Sequence, residues 1–432
     1  MRKEPFAYAK AIVIMDKTNF ACIKDTLKTL AVKTIGDCTF TKDGNYFSVE
    51  SKYDVLLPSG DEKYYSFWVR DAAMMAESGL LPNEVFKKYI EIFATHAQNG
   101  GDTRFLENGL TVPPFAIADH INYDGKPVFF PGTYSSGENQ GDGSYGFFPP
   151  FCDNYYFIIM VWEYVKQSED FKILNKEYNG ISLLQRLKYA FLGYNIDSAS
   201  ELCVSEKTKF TIDWGFVDTV KKSGKLLMAS LLRYNAAMAL YHLLDMRGDY
   251  NDSKYYSNVA QKIKSSVLET FYDESTGWFY SATGIGHQYD VWGTAYAVYS
   301  GITSNEKTLA ALYMAYKNHT SVVDGYVRHI LTDNDYSQGS AWECTKTAFN
   351  EYQNGAYWAT PTGWYAYALY QYNGEIGILE DFVKHTEKYM DMGAPFEWID
   401  ATTEKFSGIR YGTSGVLPYI AAKRIIKNKD NI

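Results

Sequence analysis

Residues 209–252 read KFTIDWGFVDTVKKSGKLLMASLLRYNAAMALYHLLDMRGDYND, and the three parts of this stretch decide the fold. Its middle, 224–248, is apolar nearly all round, which predicts a helix buried on most of its sides. A long loop loaded with aromatics and acids (209–224) precedes it, and a short plain connection, MRGDYND, follows.

The same three-part unit recurs along the chain. CDNYYFIIMVWEYVKQS (152–168) is a second strongly apolar helix, and NEVFKKYIEIFATHAQ (83–98) keeps one apolar face behind Asn83, an N-cap candidate. Helical spacing also predicts helices over 7–31, 69–80, 181–195, 253–272, 289–301, 305–319, 358–372, 375–391 and 414–427, about twelve in all. The connections alternate. LLPNE, MRGDYND, ITSNEK and QYNGE are plain, whereas 61–71, 132–153, 209–224, 281–293, 343–363 and 393–415 are rich in acids, aromatics and glycine. Antiparallel helices put alternate loops at opposite ends, so the rich loops share one end. Helical hairpins repeating at roughly 60–85 residues predict an all-α chain closed into an (α/α)6 toroid, with the helices that follow rich loops inside. An open solenoid is the alternative, but solenoid repeats are shorter and more regular. The whole chain, 1–432, is expected to form one domain. Residues 33–60 do not read as helix; an alternation with a turn at Asp43-Gly44 predicts a small β-hairpin insertion there.

Composition narrows the function. The net charge is −9 and the basic residues are scattered, which argues against nucleic acid or an anionic membrane surface as partner. No window reaches the roughly 18 apolar residues of a membrane span. The opening, MRKEPFAYAKAIVIMDKTNF, lacks the apolar run of a signal peptide, so a cytoplasmic location is favoured over a periplasmic or secreted one. The five cysteines lie far apart and are expected to be mostly buried thiols. None of the seven histidines has a metal-ligand spacing and no nucleotide fingerprint occurs, so neither metal nor cofactor is expected. Aromatics make up 17% of the residues, with 38 Tyr and nine Trp. Flat rings with polar tips suit a hydroxyl-rich ligand such as a sugar.

The rich loops carry the candidate chemistry. Asp71, Glu138, Asp213, Asp218, Glu343 and Glu397 stand beside Trp68, Trp214, Trp292, Trp358 and Trp398. Cleaving a glycosidic bond needs one carboxyl to protonate the leaving oxygen and another to activate water or attack the sugar. An aromatic wall raises the pKa of the acid by desolvating its charged form. Either Asp213 or Asp218 could instead cap the helix that follows, Asp218 more readily by position.

From residue 61 to 427 the pattern resembles the six-hairpin glycosidases, the superfamily of glucoamylases, trehalases, α-L-rhamnosidases and exo-α-mannosidases. FWVRDAA (67–73) is similar to their W-x-R-D element, and YQNGAYW (352–358) to a Gln-Asn-Gly-aromatic-Trp stretch of related barrels. The resemblance implies that Arg70 and Asp71 hold the terminal sugar against Trp68, with Tyr352, Gln353, Asn354 and Trp358 lining the pocket. It implies a general acid in FTIDWGFVDTV, where Asp213 beside Trp214 is favoured and Asp218 is kept, although the family's W-E-E form is absent. It implies Glu397, beside Trp398, as catalytic base. Glu343 is an alternative base, Glu138 and Trp292 are further expected sugar contacts, and His287 is either a sugar contact or a satisfied core histidine. The expected activity is exo-acting, inverting hydrolysis of a terminal, α-linked sugar from an oligosaccharide or glycoside. A phosphorylase would need a cationic phosphate site, for which the rich loops offer only Arg70 and Arg410. A polysaccharide lyase, a sugar epimerase and a non-catalytic carbohydrate-binding protein also stay open, as does the oligomeric state.

Overall fold

The computed structural model describes residues 17–40, 55–59, 66–122, 125–331, 342–387 and 395–429. The Asp43-Gly44 turn and residues 1–16 of the N-terminal opening lie outside them. Among the described residues there are twelve α-helices: α1 (Lys17–Cys38), α2 (Val69–Ala76), α3 (Asn83–Ile92), α4 (Phe151–Ser168), α5 (Leu183–Leu192) and α6 (Leu227–Arg247), then α7 (Tyr250–Phe271), α8 (Val291–Tyr299), α9 (Glu306–Lys317), α10 (Thr362–Asn373), α11 (Gly377–Glu387) and α12 (Gly412–Lys429).

The even-numbered helices form the inner ring. Each packs on the next, and α12 packs on α2, so the ring closes. The odd-numbered helices pack outside, with α1 covering α12. This is an (α/α)6 barrel. The apolar periphery of α6 has its reason here: Leu227, Leu231, Ala237, Leu240 and Leu244 are all fully buried, because α6 touches α4, α5, α7 and α8. Each such leucine contributes about 1.5–3 kcal/mol by leaving water. Gly248, at φ +81°, ends the helix in the left-handed turn that leads straight into α7.

Three expectations need correction. The first helix runs on to Cys38 although 33–38 does not read as helical. Leu27, Leu30, Ala31, Thr34, Ile35 and Cys38 are buried on its inner face, and packing against α12 overrides the Gly36 and the β-branched pair. Asn83 is the first helical residue rather than the cap, a position that falls to Pro82, and α3 gives way to a π-helical turn over Phe93–Ala97. The third is a five-stranded antiparallel sheet at the rich-loop end: Val322–Val323, Tyr326–Arg328, Tyr357–Trp358, Phe396–Ile399 and Phe406–Arg410. Strands of two to five residues are too short to show a period of two. Thr39–Phe40 pairs with Val55–Leu56, a short ladder where a hairpin is expected. Of the cysteines, Cys38, Cys152 and Cys203 are buried, whereas Cys22 and Cys344 are exposed. No helix among the described residues is long and apolar enough to cross a membrane.

Candidate active site

Phe67–Trp68 pairs with His120–Ile121 and then turns directly into α2, so Arg70 and Asp71 occupy the first turn of an inner helix. Both are buried, at 6% and 2% exposure. Their hydrogen bonds lead to other elements. The Arg70 guanidinium donates to Asp119 and, at 3.5 Å, approaches Asp153. Asp119 also accepts from Trp68 Nε1 at 2.9 Å and lies 2.7 Å from His120 Nδ1. Burial pushes Asp119 up, but Arg70 and His120 outweigh it and hold it below the usual carboxylate range. Burial, with Asp119 beside it, pushes Asp153 well up. Asp71 takes a 2.5 Å hydrogen bond from the Tyr411 hydroxyl, and burial raises it too. The 209–224 loop passes over this floor at Gly215, where a Cβ would stand 2.7 Å from Arg70 Nη1; glycine permits that approach.

Glu397 comes from the sheet. It lies on strand Phe396–Ile399, where the register with Phe406–Arg410 shifts between Phe396 and Trp398. It is 3% exposed, and its Oε2 faces Ile409 N at 3.4 Å. Opposite it, Gly408 has φ +79°, and a Cβ there would sit 2.3 Å from Glu397 Oε2.

Asp218 closes the wall. It follows a single 3-10 turn, Gly215–Val217, and is half-buried. Burial pushes its carboxyl up to about 6, despite the nearby Arg70 charge. Gln353 Nε2 donates to Asp218 Oδ1 at 3.2 Å.

These groups share one cleft of about 320 Å³, lined by Trp68, Arg70, Asp71, Tyr134, Tyr145, Phe216, Asp218, Tyr352, Glu397 and Tyr411 among others. Of the residues singled out in the sequence, Trp68, Arg70, Asp71, Asp218, Tyr352 and Glu397 therefore meet in it. Asp213 does not line it. Its Oδ1 accepts from Ala229 N at 2.8 Å, capping α6, and its Oδ2 pairs with Lys222 at 3.0 Å. The capping role assigned more readily to Asp218 thus falls to Asp213. Trp214, Trp292 and Trp358 are buried among one another and Phe216, with Trp214 and Phe216 centroids 4.7 Å apart. Trp398 is half-buried, edge-on to Tyr352 at 6.0 Å. Gln353 and Asn354 are buried and bonded to protein groups. Glu138, His287 and Glu343 are exposed and outside the cleft lining; His287 stacks on Tyr280, and Glu343 accepts from Gly286 N at 3.0 Å.

Asp119, Tyr134 and Tyr411 are site residues that the sequence alone did not mark. Asp119 sits in FAIADHI, where an Asp-His pair closes an apolar run just before the strand residue Ile121, the one signal the sequence offers for it. Tyr411 stands one residue before α12 and carried no signal of its own.

No protein-family model and no curated protein matches the sequence. Solved structures do. A rhamnosidase from Klebsiella oxytoca with rhamnose bound aligns over 97% of this chain and 66% of its own length, at 13% identity and TM-score 0.55. The glucoamylase of Saccharomycopsis fibuligera aligns over 99% of both chains, at 12% identity and TM-score 0.54. A wild-type glycosidase aligns over 95% of this chain and 99% of its own, at 12% identity and TM-score 0.56. The chain thus spans about two thirds of the rhamnosidase and nearly all of the glucoamylase. The fold is that of the six-hairpin glycosidases.

Proposed function

We propose that this protein is a glycoside hydrolase that releases one terminal, α-linked sugar by an inverting, exo-acting mechanism. The observation that carries the reading is that Asp218 and Glu397 are walls of the same cleft, contributed by two different rich loops. A volume of about 320 Å³ is at the small end for ligand pockets, which suits a sugar ring or two rather than a threaded polymer.

In this reading Arg70, Asp71 and Trp68 hold the terminal sugar. Asp218, whose carboxyl burial raises to about 6, holds its proton to about two pH units higher than a free carboxylate does, and delivers it to the leaving oxygen. Glu397 takes a proton from water, which attacks the anomeric carbon from the opposite face. Asp213 is set aside as the acid in favour of Asp218, because its two oxygens are committed to Lys222 and to the cap of α6.

The test is a proton NMR time course on α- and β-linked oligosaccharides and glycosides, with and without phosphate. Release of a free sugar whose first anomer is opposite to the bond cleaved is expected. Retention of the anomer would replace the inverting mechanism, and a phosphate-dependent product or a new double bond would replace hydrolysis itself.

A further inference from the structure

The turn that presents Asp218 cannot hold itself, because one 3-10 turn satisfies few of its own polar groups. A single side chain 134 residues further along supplies what is missing. Gln353 is 1% exposed. Its Oε1 accepts from Thr219 N at 2.9 Å and from Thr219 Oγ1 at 2.7 Å. Its Nε2 donates to the Phe216 carbonyl and, at 3.2 Å, to Asp218 Oδ1. A primary amide offers two donors and accepts two hydrogen bonds, and all four are spent on residues 216–219. The Thr219 amide can only donate and the Phe216 carbonyl only accept, so the orientation of the side-chain amide is determined.

Gln353 is itself held. Trp342 Nε1 donates to its carbonyl at 3.2 Å. On either side, the Tyr352 carbonyl accepts from Trp358 Nε1 at 2.9 Å, and Asn354 binds Trp342 N at 3.0 Å and the Thr347 carbonyl at 2.9 Å.

We infer that Gln353 is the positioning residue of the general acid: its amide commits Asp218 Oδ1 as an acceptor and leaves Oδ2 as the oxygen that carries the proton to the leaving group. The inference rests on the reading of Asp218 as acid. In the step, the Oδ2–H proton moves to the glycosidic oxygen as the bond from that oxygen to the anomeric carbon breaks. The bonding pair stays on the departing oxygen, and negative charge appears on the Asp218 carboxyl. The Nε2–H donor already points at that carboxyl, so its hydrogen bond strengthens as the charge develops. Gln353 acts on the acid, not on the sugar.

Wild type, Gln353→Met and Gln353→Glu are compared on the phenyl and 2,4-dinitrophenyl glycosides of whichever sugar the wild type releases. Met keeps the volume. Glu keeps an acceptor for Thr219 but has no amide N–H for Asp218. On the phenyl glycoside, kcat should fall about 10²–10³-fold in both variants, the cost of removing one aligned donor, with KM changed less than about threefold. The dinitrophenyl group leaves without a proton, so the loss there should shrink to under about tenfold. The basic limb of kcat/KM should move to higher pH, because the charged carboxylate loses a hydrogen bond. Arg70, Asp119, Tyr134, Tyr145 and Lys346 also face Asp218 electrostatically and are unaltered in both variants. Equal losses on the two glycosides, or an unmoved limb, would make Gln353 merely structural and overturn the proposal. A wild type that cleaves no glycoside would overturn the assignment of Asp218 and this inference with it. The two failures are distinct, since one shows in the wild type and the other only in the variants. If Gln353→Met does not fold, Gln353→Glu and the ¹³C titration of the Asp218 carboxyl decide alone: an unshifted titration overturns the proposal.

Discussion

Asp213 and Asp218 stand on one loop with the same side chain, and their surroundings divide them. Asp213 has a buried cation and a helix terminus; Asp218 has a cleft and an amide. If Asp218 is the acid, activity depends on its protonated form. The value near 6 then sets the basic limb: kcat/KM should fall about tenfold per pH unit above about 6. The same shift costs stability. A carboxyl raised from about 3.9 in the unfolded chain binds more protons when folded, so its penalty is absent below about pH 4 and complete above about 6. Asp218→Asn should therefore abolish turnover on unactivated glycosides while stabilising the fold at pH 7 by about 1–2 kcal/mol, discounted for partial solvent access. Matched urea melts at pH 4 and pH 7 check the sign. Glu397→Gln is expected to lower kcat by about 10³-fold or more with substrate still bound, measurable by calorimetry on the inactive variant. Undiminished turnover would remove Glu397 from the chemistry.

At the scale of the element, the 209–224 loop is clamped at its base as well as at its tip. Lys222 Nζ lies 3.0 Å from Asp213 and 3.7 Å from Asp290, all three buried. Asp213 caps α6 and Asp290 caps α8, accepting from Gly293 N at 2.6 Å, so one ammonium ties the loop to two inner helices. Burial opposes the charge on Lys222, but the two carboxylates outweigh it and hold it above its usual range. His329 stacks on Trp292 at 4.0 Å, and burial lowers it to about 4, so it stays neutral at pH 7 beside Asp290. Lys222→Met would strand two buried carboxylates and should cost about 3–5 kcal/mol. Denaturant unfolding at pH 7 measures that loss.

At the scale of the molecule, the site exists because the ring closes. Tyr411, one residue before α12, bonds Asp71 at the start of α2, joining the last inner helix to the first across 340 positions of sequence. Each inner helix leans on two inner neighbours, so none can leave without opening the ring. The expected consequence is a single unfolding unit: far-UV circular dichroism and tryptophan fluorescence should give coincident transitions in urea. Separate midpoints would show that the barrel divides.

Periodicity and the alternation of connections were enough for most of the helices, their inner and outer roles and the end that carries the rich loops, because those are properties of local spacing and of which faces must be buried. The segments FWVRD and EW (397–398) mark Arg70, Asp71 and Glu397 as candidates because acids among aromatics are visible in one dimension, and the folded chain brings the three to one cleft. The five-stranded sheet was not legible, since strands of two to five residues carry no period and are made by partners far away in the chain. Nor was the difference between Asp213 and Asp218. Five positions apart, they are told apart by Lys222, Ala229 and Gln353 among other groups that only folding brings to them. Side-chain type is written in the sequence; burial, charge pairing and hydrogen-bond partner belong to the tertiary structure, and those three decide which carboxyl caps a helix and which lines the cleft.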